Sequence, residues 1–454
     1  MTAKKQTFTF ERFLPVLPLA LLSGTLVFLT IRGNEIFGLL AILLALGAIA
    51  IFVRPEIGIL LFLTSFFATY GDSIPTSGRL TPNNLLGLFF SVLLVIKVYQ
   101  ERNLSFLKDR IFQIFLVIVL FFHFSSPIVE RQLFNPFPQF DATGRMLHDV
   151  TARFVFLVFF INFIRTLRDV KLVLWTVLGI IFLSGVSGVV NAFTGAGFGI
   201  GGYRAAADWG ISSAGNANRL AFYCVLGIAL SWYYKRVVRN RILSLFLTAA
   251  IPGLAIAALT TASRSGLLNL FVVCGLLAME GRFSVKRQLN LVIITGLVVF
   301  LASDFLSETH IERLGNIPLW SSSETKGTSS TEKRLKTLSD GSKIIVDNPI
   351  LGAGIGNFRW VRLERFGAAG PPHNSYLWAA AEGGVPILLL YLLLFGLALK
   401  NLLRAESKST SLEARFIARG LRTGLMSFLF FSLFADFWLN IMTYVLVGLA
   451  IVLG

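Results

Sequence analysis

The chain has 454 residues, of which 55% are hydrophobic and only 14% charged, and its formal net charge is +17. A soluble domain is normally about a quarter charged, so a soluble enzyme with one anchor is excluded. Apolar runs recur almost from end to end at the ~20-residue length of a bilayer-crossing helix, and the alternation of an outer-membrane barrel is absent. The expected fold is all-α: a polytopic helical membrane bundle of about 12–14 transmembrane helices.

In chain order, Lys4, Lys5 and Arg12 precede the first run, 13–31, which reads as a retained signal anchor. Further spans are expected at 36–53, 57–70, 85–99, 111–129, 150–164, 172–193, 220–234, 242–262, 266–279, 289–305, 385–399, 425–437 and 441–453. Cys224 and Cys274 both fall inside spans and read as free thiols, with no disulfide framework.

Positive charge orients the bundle. With the N-terminus inside, the inner loops gather 24 of the 41 basic residues and 8 of the 24 acidic ones, which puts +16 of the net +17 on one face. The basic balance therefore reports topology and not a nucleic-acid surface. Both termini are expected in the cytoplasm. The expected division is an N-terminal transmembrane bundle (1–305), one long external loop (306–372) and C-terminal transmembrane helices (373–454). Within the loop, 321–331 reads as a mobile polar stretch. A helix is expected over 332–346, stopped by Asp347-Asn348-Pro349.

Of the four histidines, His123 reads as a packed core residue, and His148 and His310 as interfacial ones. His373 stands apart, because it follows Pro371-Pro372 where the long loop re-enters the membrane. A helix is expected to start just after it, and a helix N-terminus favours neutral imidazole, the form that accepts a proton from a hydroxyl. General base and interfacial structural residue are both open readings of His373. Arg264 lies in a sharp outer turn, Ser263-Arg264-Ser265-Gly266, and Arg204, Arg219 and Arg334 are also external. Each either snorkels or pairs with a carboxylate such as Asp208 or Glu332, or else joins a cationic cluster for phosphate. Asn216 and Asn218 either cap a helix or add hydrogen bonds to such a cluster. Gly352-Ala353-Gly354-Ile355-Gly356 follows no strand, and a turn closing the loop over the bundle explains it better than a nucleotide loop. Neither Asp-x-Asp nor His-Glu-x-x-His occurs, so no metal or other cofactor is expected.

Together these residues resemble the O-antigen ligase/polymerase superfamily of bacterial membrane glycan transferases. The family's His-Asn with a glycine nine residues on is similar to His373-Asn374 followed by Gly383-Gly384. Its Arg…Asp-x-Pro…Gly-x-Gly-x-Gly-Asn-Phe signature is similar to Arg334 with the stretch Asp347 to Phe358. Ser263-Arg264-Ser265-Gly266 resembles its Ser-Arg-small-Gly turn, and Arg204 with Gly215-Asn216-Ala217-Asn218 its Arg…Gly-Asn-x-Asn segment. The likeness runs from about Arg204 to Pro386, and the N-terminal third fits only in hydropathy.

The resemblance implies a GT-C-type bundle in the bacterial inner membrane with its active site at the periplasmic face. It also implies transfer of a glycan from an undecaprenyl-pyrophosphate carrier to an acceptor hydroxyl, without nucleotide or metal. His373 would be the catalytic base. Arg264, Arg334 and Arg204 would hold the pyrophosphate, and Asn374, Asn218 and Arg219 are candidate supporting residues. The leading expectation is a ligase with a lipid A–core acceptor; a polysaccharide polymerase or a protein O-oligosaccharyltransferase would use the same donor. A transporter, the competing class, would require inverted repeats and ionisable residues deep within spans. No such repeat is found, and Arg153 and Asp304 lie near span ends.

Overall fold

The computed structural model describes residues 58–60, 63, 82–102, 104–130, 142–194, 206–207, 216–280 and 327–454. The spans expected at 13–31, 36–53 and 289–305, most of 57–70, His310 and Arg204 lie outside them. Among the described residues the protein is all helical: α1 (Pro82–Glu101), α2 (Arg110–Glu130), α3 (Ala142–Phe163), α4 (Leu167–Thr194), α5 (Ala217–Tyr234), α6 (Arg241–Thr260), α7 (Arg264–Glu280), α8 (Gly327–Asp347), α9 (Phe358–Phe366), α10 (Ser375–Lys408), α11 (Leu412–Phe431) and α12 (Ile441–Leu453). Five of these, α2, α3, α4, α6 and α10, are long and apolar enough to cross a membrane.

Two helices form the axis of the bundle. In α5 nearly every residue from Leu220 to Tyr234 is buried, and in α12 every residue from Ile441 to Ala450. A helix apolar all round is one enclosed by others, and here α4, α6, α7 and α11 surround α5. Without water to drive helices together, close packing across small residues holds such a bundle. A Cβ on Gly227 of α5 would come within 2.8 Å of both Ile181 and Leu254, one on Gly188 within 2.5 Å of Leu220, and one on Gly448 within 2.6 Å of Phe160. The aromatic rings of Phe222, Phe428, Phe431 and Phe437 lock the end of the bundle where α5 begins, with centroids 4.8–6.2 Å apart.

At the opposite end, Glu406 binds Arg419 at 2.7 Å and Arg422 at 3.2 Å, and Lys171 meets Glu413 at 3.0 Å. These residues belong to the basic loops assigned to the inner face.

Four departures from the sequence expectation matter. α11 begins at Leu412 and ends at Phe431, so the run expected as a span over 425–437 is half loop. α10 begins at Ser375, ten residues before the expected span, and its backbone breaks at Gly384 (φ 70°, ψ −177°). His123 is exposed on α2 instead of packed in the core, with Nε2 2.8 Å from the Thr151 hydroxyl. The helix expected over 332–346 is α8, which ends at Asp347 but begins five residues early at Gly327, so 327–331 is helical and not part of the mobile stretch expected over 321–331.

Replacing Gly227 by valine overpacks the α4–α5–α6 junction and is expected to destabilise the fold by about 1–3 kcal/mol. A thermal-unfolding midpoint equal to wild type in detergent would contradict this packing.

Candidate active site

The site is built where the chain leaves its helices at the end of the bundle opposite the Glu406 cluster. His373 follows Pro371-Pro372 and adopts φ 52°, a left-handed backbone that is strained for a residue with a Cβ. It is held there from the following residue on. Asn374 caps α10 by accepting the N–H groups of Tyr376 and Leu377 at 2.9 Å each. Ser375 then anchors the 432–440 loop, its N–H donating to the Ser432 carbonyl at 2.8 Å. The Ser375 hydroxyl donates to the Ala435 carbonyl at 2.7 Å and accepts from the Phe437 N–H at 2.8 Å. Phe437 and Trp438 fix the same loop by complete or near-complete burial.

This docking sets Asp436 opposite His373. Nδ1 of the imidazole lies 3.3 Å from Asp436 Oδ2, and the carboxylate side chain is only 11% exposed against 44% for the imidazole. With Nδ1–H donating to the carboxylate, Nε2 is the proton-accepting nitrogen. Asp436 is the residue that the sequence reading missed. It sits inside an apolar run, and a lone carboxylate there was the available signal.

Arg264 opens α7. The turn before it passes through Ala262 at φ 47°. The Ser263 hydroxyl caps the new helix by accepting the Gly266 N–H at 3.1 Å and donates to the Asn218 side-chain oxygen at 2.9 Å. A Cβ on Gly266 would lie 2.4 Å from Ala221, so only glycine lets α7 approach α5 this closely. The Ser-Arg-Ser-Gly turn is therefore a device for fixing one guanidinium.

Arg334, on α8, is the electrostatic neighbour of both Arg264 and Asp436. Desolvation first, and then the like charge of Arg264, lower its pKa below the ordinary arginine value, while Asp436 opposes the shift. Two guanidiniums held against their mutual repulsion beside one carboxylate suit a dianionic or polyanionic group.

Arg219 supports the site from below: its guanidinium donates to the Asp436 carbonyl at 3.4 Å and stacks 5.8 Å from the centre of the Phe437 ring. Asn218 and Asn374 act through hydrogen bonds to the turn and the helix cap. The structure thus brings together His373, Arg264, Arg334, Arg219, Asn218 and Asn374, and leaves Arg204 outside the described residues.

Glu382 does not take part as an alternative base. Although α10 breaks two residues beyond it, its side chain is buried and Oε1 accepts the Phe358 N–H at 3.3 Å. The glycine run 352–356 packs against this break. Pro386 has no N–H to give the Glu382 carbonyl, which accepts instead from Gly354 at 3.0 Å. Ala381 accepts from Ala353 at 2.7 Å, and the Val385 N–H donates to Pro349 at 2.8 Å. The glycines are required by contact: a Cβ on Gly352 would lie 2.4 Å from the Glu382 backbone, and one on Gly384 2.4 Å from the Ile350 carbonyl oxygen.

With this geometry in place, comparison with known families is decisive for the central part of the chain. Residues 247–392 match the family described as O-antigen ligase (Wzy_C). That stretch belongs to the O-antigen ligase family. The match contains Arg264, Arg334 and His373. Arg219 and Asp436, which complete the site in space, lie outside it. No curated protein matches the chain. The matched family implies glycosyl transfer as the general activity, and with the apolar helices it points to a membrane protein with glycan substrates.

Asp436→Asn is expected to leave the protein folded and to lower turnover by about 10²-fold or more, within the range of general-base catalysis. Steady-state kinetics with wild-type rates would remove the carboxylate from the site. Arg264→Ala and Arg334→Ala should each weaken use of an anionic substrate by about 1.5–3 kcal/mol. Lysine should restore only part of this, because it lacks the bidentate fork. Isothermal binding of pyrophosphate-bearing ligand by the four variants provides the check.

Proposed function

We propose that this protein transfers a glycan from an undecaprenyl-pyrophosphate carrier to an acceptor hydroxyl at the periplasmic face of the bacterial inner membrane, as an O-antigen ligase whose acceptor is lipid A–core. The observation that carries the reading is the convergence of an imidazole–carboxylate pair with two clustered arginines at one end of a membrane bundle. It is a constellation for deprotonating a hydroxyl beside a phosphate-bearing leaving group.

In the proposed step, His373 Nε2 takes the proton of the acceptor hydroxyl, and Asp436 orients the ring and balances the imidazolium that forms. The acceptor oxygen bonds to the anomeric carbon as the bond from that carbon to the pyrophosphate oxygen breaks. Undecaprenyl pyrophosphate leaves, its growing negative charge held by Arg264 and Arg334, with Arg204 as the proposed third cation. The proton on His373 then returns to solvent. The activated pyrophosphate supplies the driving force, so the step requires neither nucleotide nor metal.

The side of the membrane follows from charge. The basic loops 97–110, 235–241 and 400–422 belong to the cytoplasmic face, and His373 and Arg264 sit at the other ends of the same helices.

His373→Ala is expected to abolish transfer while retaining donor binding, and chelation should leave wild-type turnover unchanged. Both are read with purified protein and lipid-linked donor. Undiminished transfer by His373→Ala would end its assignment as base. Cysteines placed at Ser339 and Ser407 should label from the periplasmic and cytoplasmic sides respectively; the reverse pattern would sink the topology and the mechanism together. Deleting the gene separates the acceptors. Bare lipid A–core with accumulated lipid-linked polymer identifies the ligase, single-unit chains a polymerase, and unglycosylated protein an oligosaccharyltransferase.

A further inference from the structure

Glu382 is 1% exposed, bears no direct relation to the reacting groups, and yet occupies the joint between two parts of the site. The first part is the half-helix of α10 from Ser375 to the break at Gly384, which carries His373 at its start. The second is α8, which carries Arg334. They run side by side in the same direction. A Cβ on Gly341 of α8 would lie 2.8 Å from Leu377, and Ile344 and Ala381 share one buried cluster. At one end of this pair Arg334 lies within electrostatic reach of Asp436, the partner of His373. At the other end the 349–358 loop turns back onto the break.

Glu382 is what fastens that far end. Asn357 precedes α9 but makes no side-chain cap. The Glu382 carboxyl group takes the capping role, its Oε1 accepting the Phe358 N–H at 3.3 Å. An acceptor at a helix N-terminus is favourable both as a hydrogen bond and through the helix dipole. α9 in turn is tied to α8 by the buried ion pair of Arg362 and Asp340, 3.0 Å apart with side chains only 7% and 6% exposed. Glu382, α9, Arg362 and Asp340 thus form a continuous connection from the His373 half-helix to the Arg334 helix.

We propose that Glu382 is a positioning residue that, through α9 and the 349–358 loop, fixes the axial register of the Arg334 helix against the His373 half-helix. The proposal rests on the reading of Arg334 and His373 as parts of one transfer site. One residue of helix is about 1.5 Å of rise, and a misplacement of about 1 Å can cost about 10²-fold in rate. A fastening some 13 Å from His373 along the helix therefore acts on the reaction without touching a substrate.

The test combines a distance with kinetics. Spin labels are placed at the exposed Lys336 of α8 and the exposed Leu433 of the 432–440 loop, after Cys224 and Cys274 are replaced by alanine. Pulsed electron resonance then reads the register independently of activity. Glu382→Ala should shift or broaden the distance distribution and lower kcat about 10²-fold, with donor binding retained. Glu382→Gln keeps an acceptor oxygen and should restore both. Gly352→Ala keeps the carboxyl group but presses a methyl on the Glu382 backbone, and should reproduce the Glu382→Ala result; it carries the test if Glu382→Ala does not fold. An unchanged distance in the disrupting variants overturns the proposal. So does a shifted distance with unchanged kcat, or a folded Glu382→Gln with the kcat of the alanine variant. Wild-type protein that transfers nothing from a lipid-linked donor would instead defeat the functional reading, and the distance result would stand apart from it.

Discussion

A chain that leaves its helix at membrane depth must find partners inside the protein for each exposed backbone N–H and C=O, since lipid offers none. Both unwound stretches around the site obey this constraint in detail. The 432–440 loop is satisfied by Ser375, through its backbone N–H and both functions of its hydroxyl. The break at Gly384 is satisfied by the 349–354 strip, which supplies two N–H groups and a carbonyl that the interrupted helix lacks. Neither stretch is free to move without leaving polar groups bare. The chemistry-bearing side chains inherit that rigidity: Asp436 stands where Ser375 holds its loop, and His373 stands two residues before that same serine.

Small residues extend the same logic to the arginines. Gly266 lets the Arg264 turn lie against α5, and Gly341 lets α8 lie against the half-helix of α10. Close approach, rather than backbone freedom, is the reason for glycine at these two positions. The outcome is an Arg334 guanidinium whose pKa is lowered first by burial and then by the like charge of Arg264, against the opposing charge of Asp436. Like charges held together in a partly desolvated place are costly unless an anion joins them, which is the state that a bound pyrophosphate would supply.

The site does not respect the boundaries of the family match. Arg264, Arg334 and His373 fall within residues 247–392, but Asp436 and Arg219 come from a later loop and an earlier helix. Arg219 and Asp436 touch each other, and Asp436 touches His373 of the matched core, so the imidazole is oriented by parts of the chain beyond the matched stretch. The short reach of the match along the sequence therefore understates how much of the bundle takes part in holding the site.

Several features were legible in the sequence because they depend on local pattern. Apolar length specifies a helical membrane bundle, since desolvation acts on each segment separately. Proline pairs, Asp-Asn-Pro and the Ser-Arg-Ser-Gly turn mark the places where the chain must turn, and His373, Arg264 and Arg334 stand at or near them. Asp436 was marked only as a lone carboxylate in an apolar run, and its place opposite His373 was not legible, because such a run reads as helix until a distant serine is seen to unwind it. The glycine run and Glu382 were likewise opaque. Their partners are backbone groups some 30 residues away, and nothing in spacing reveals which carbonyls Pro386 sets free. The sequence alone determined a membrane bundle and named most of the candidate residues. Only the tertiary structure decided which of them meet, because in a bundle without water the pairing of unwound backbone is settled between segments and not within them.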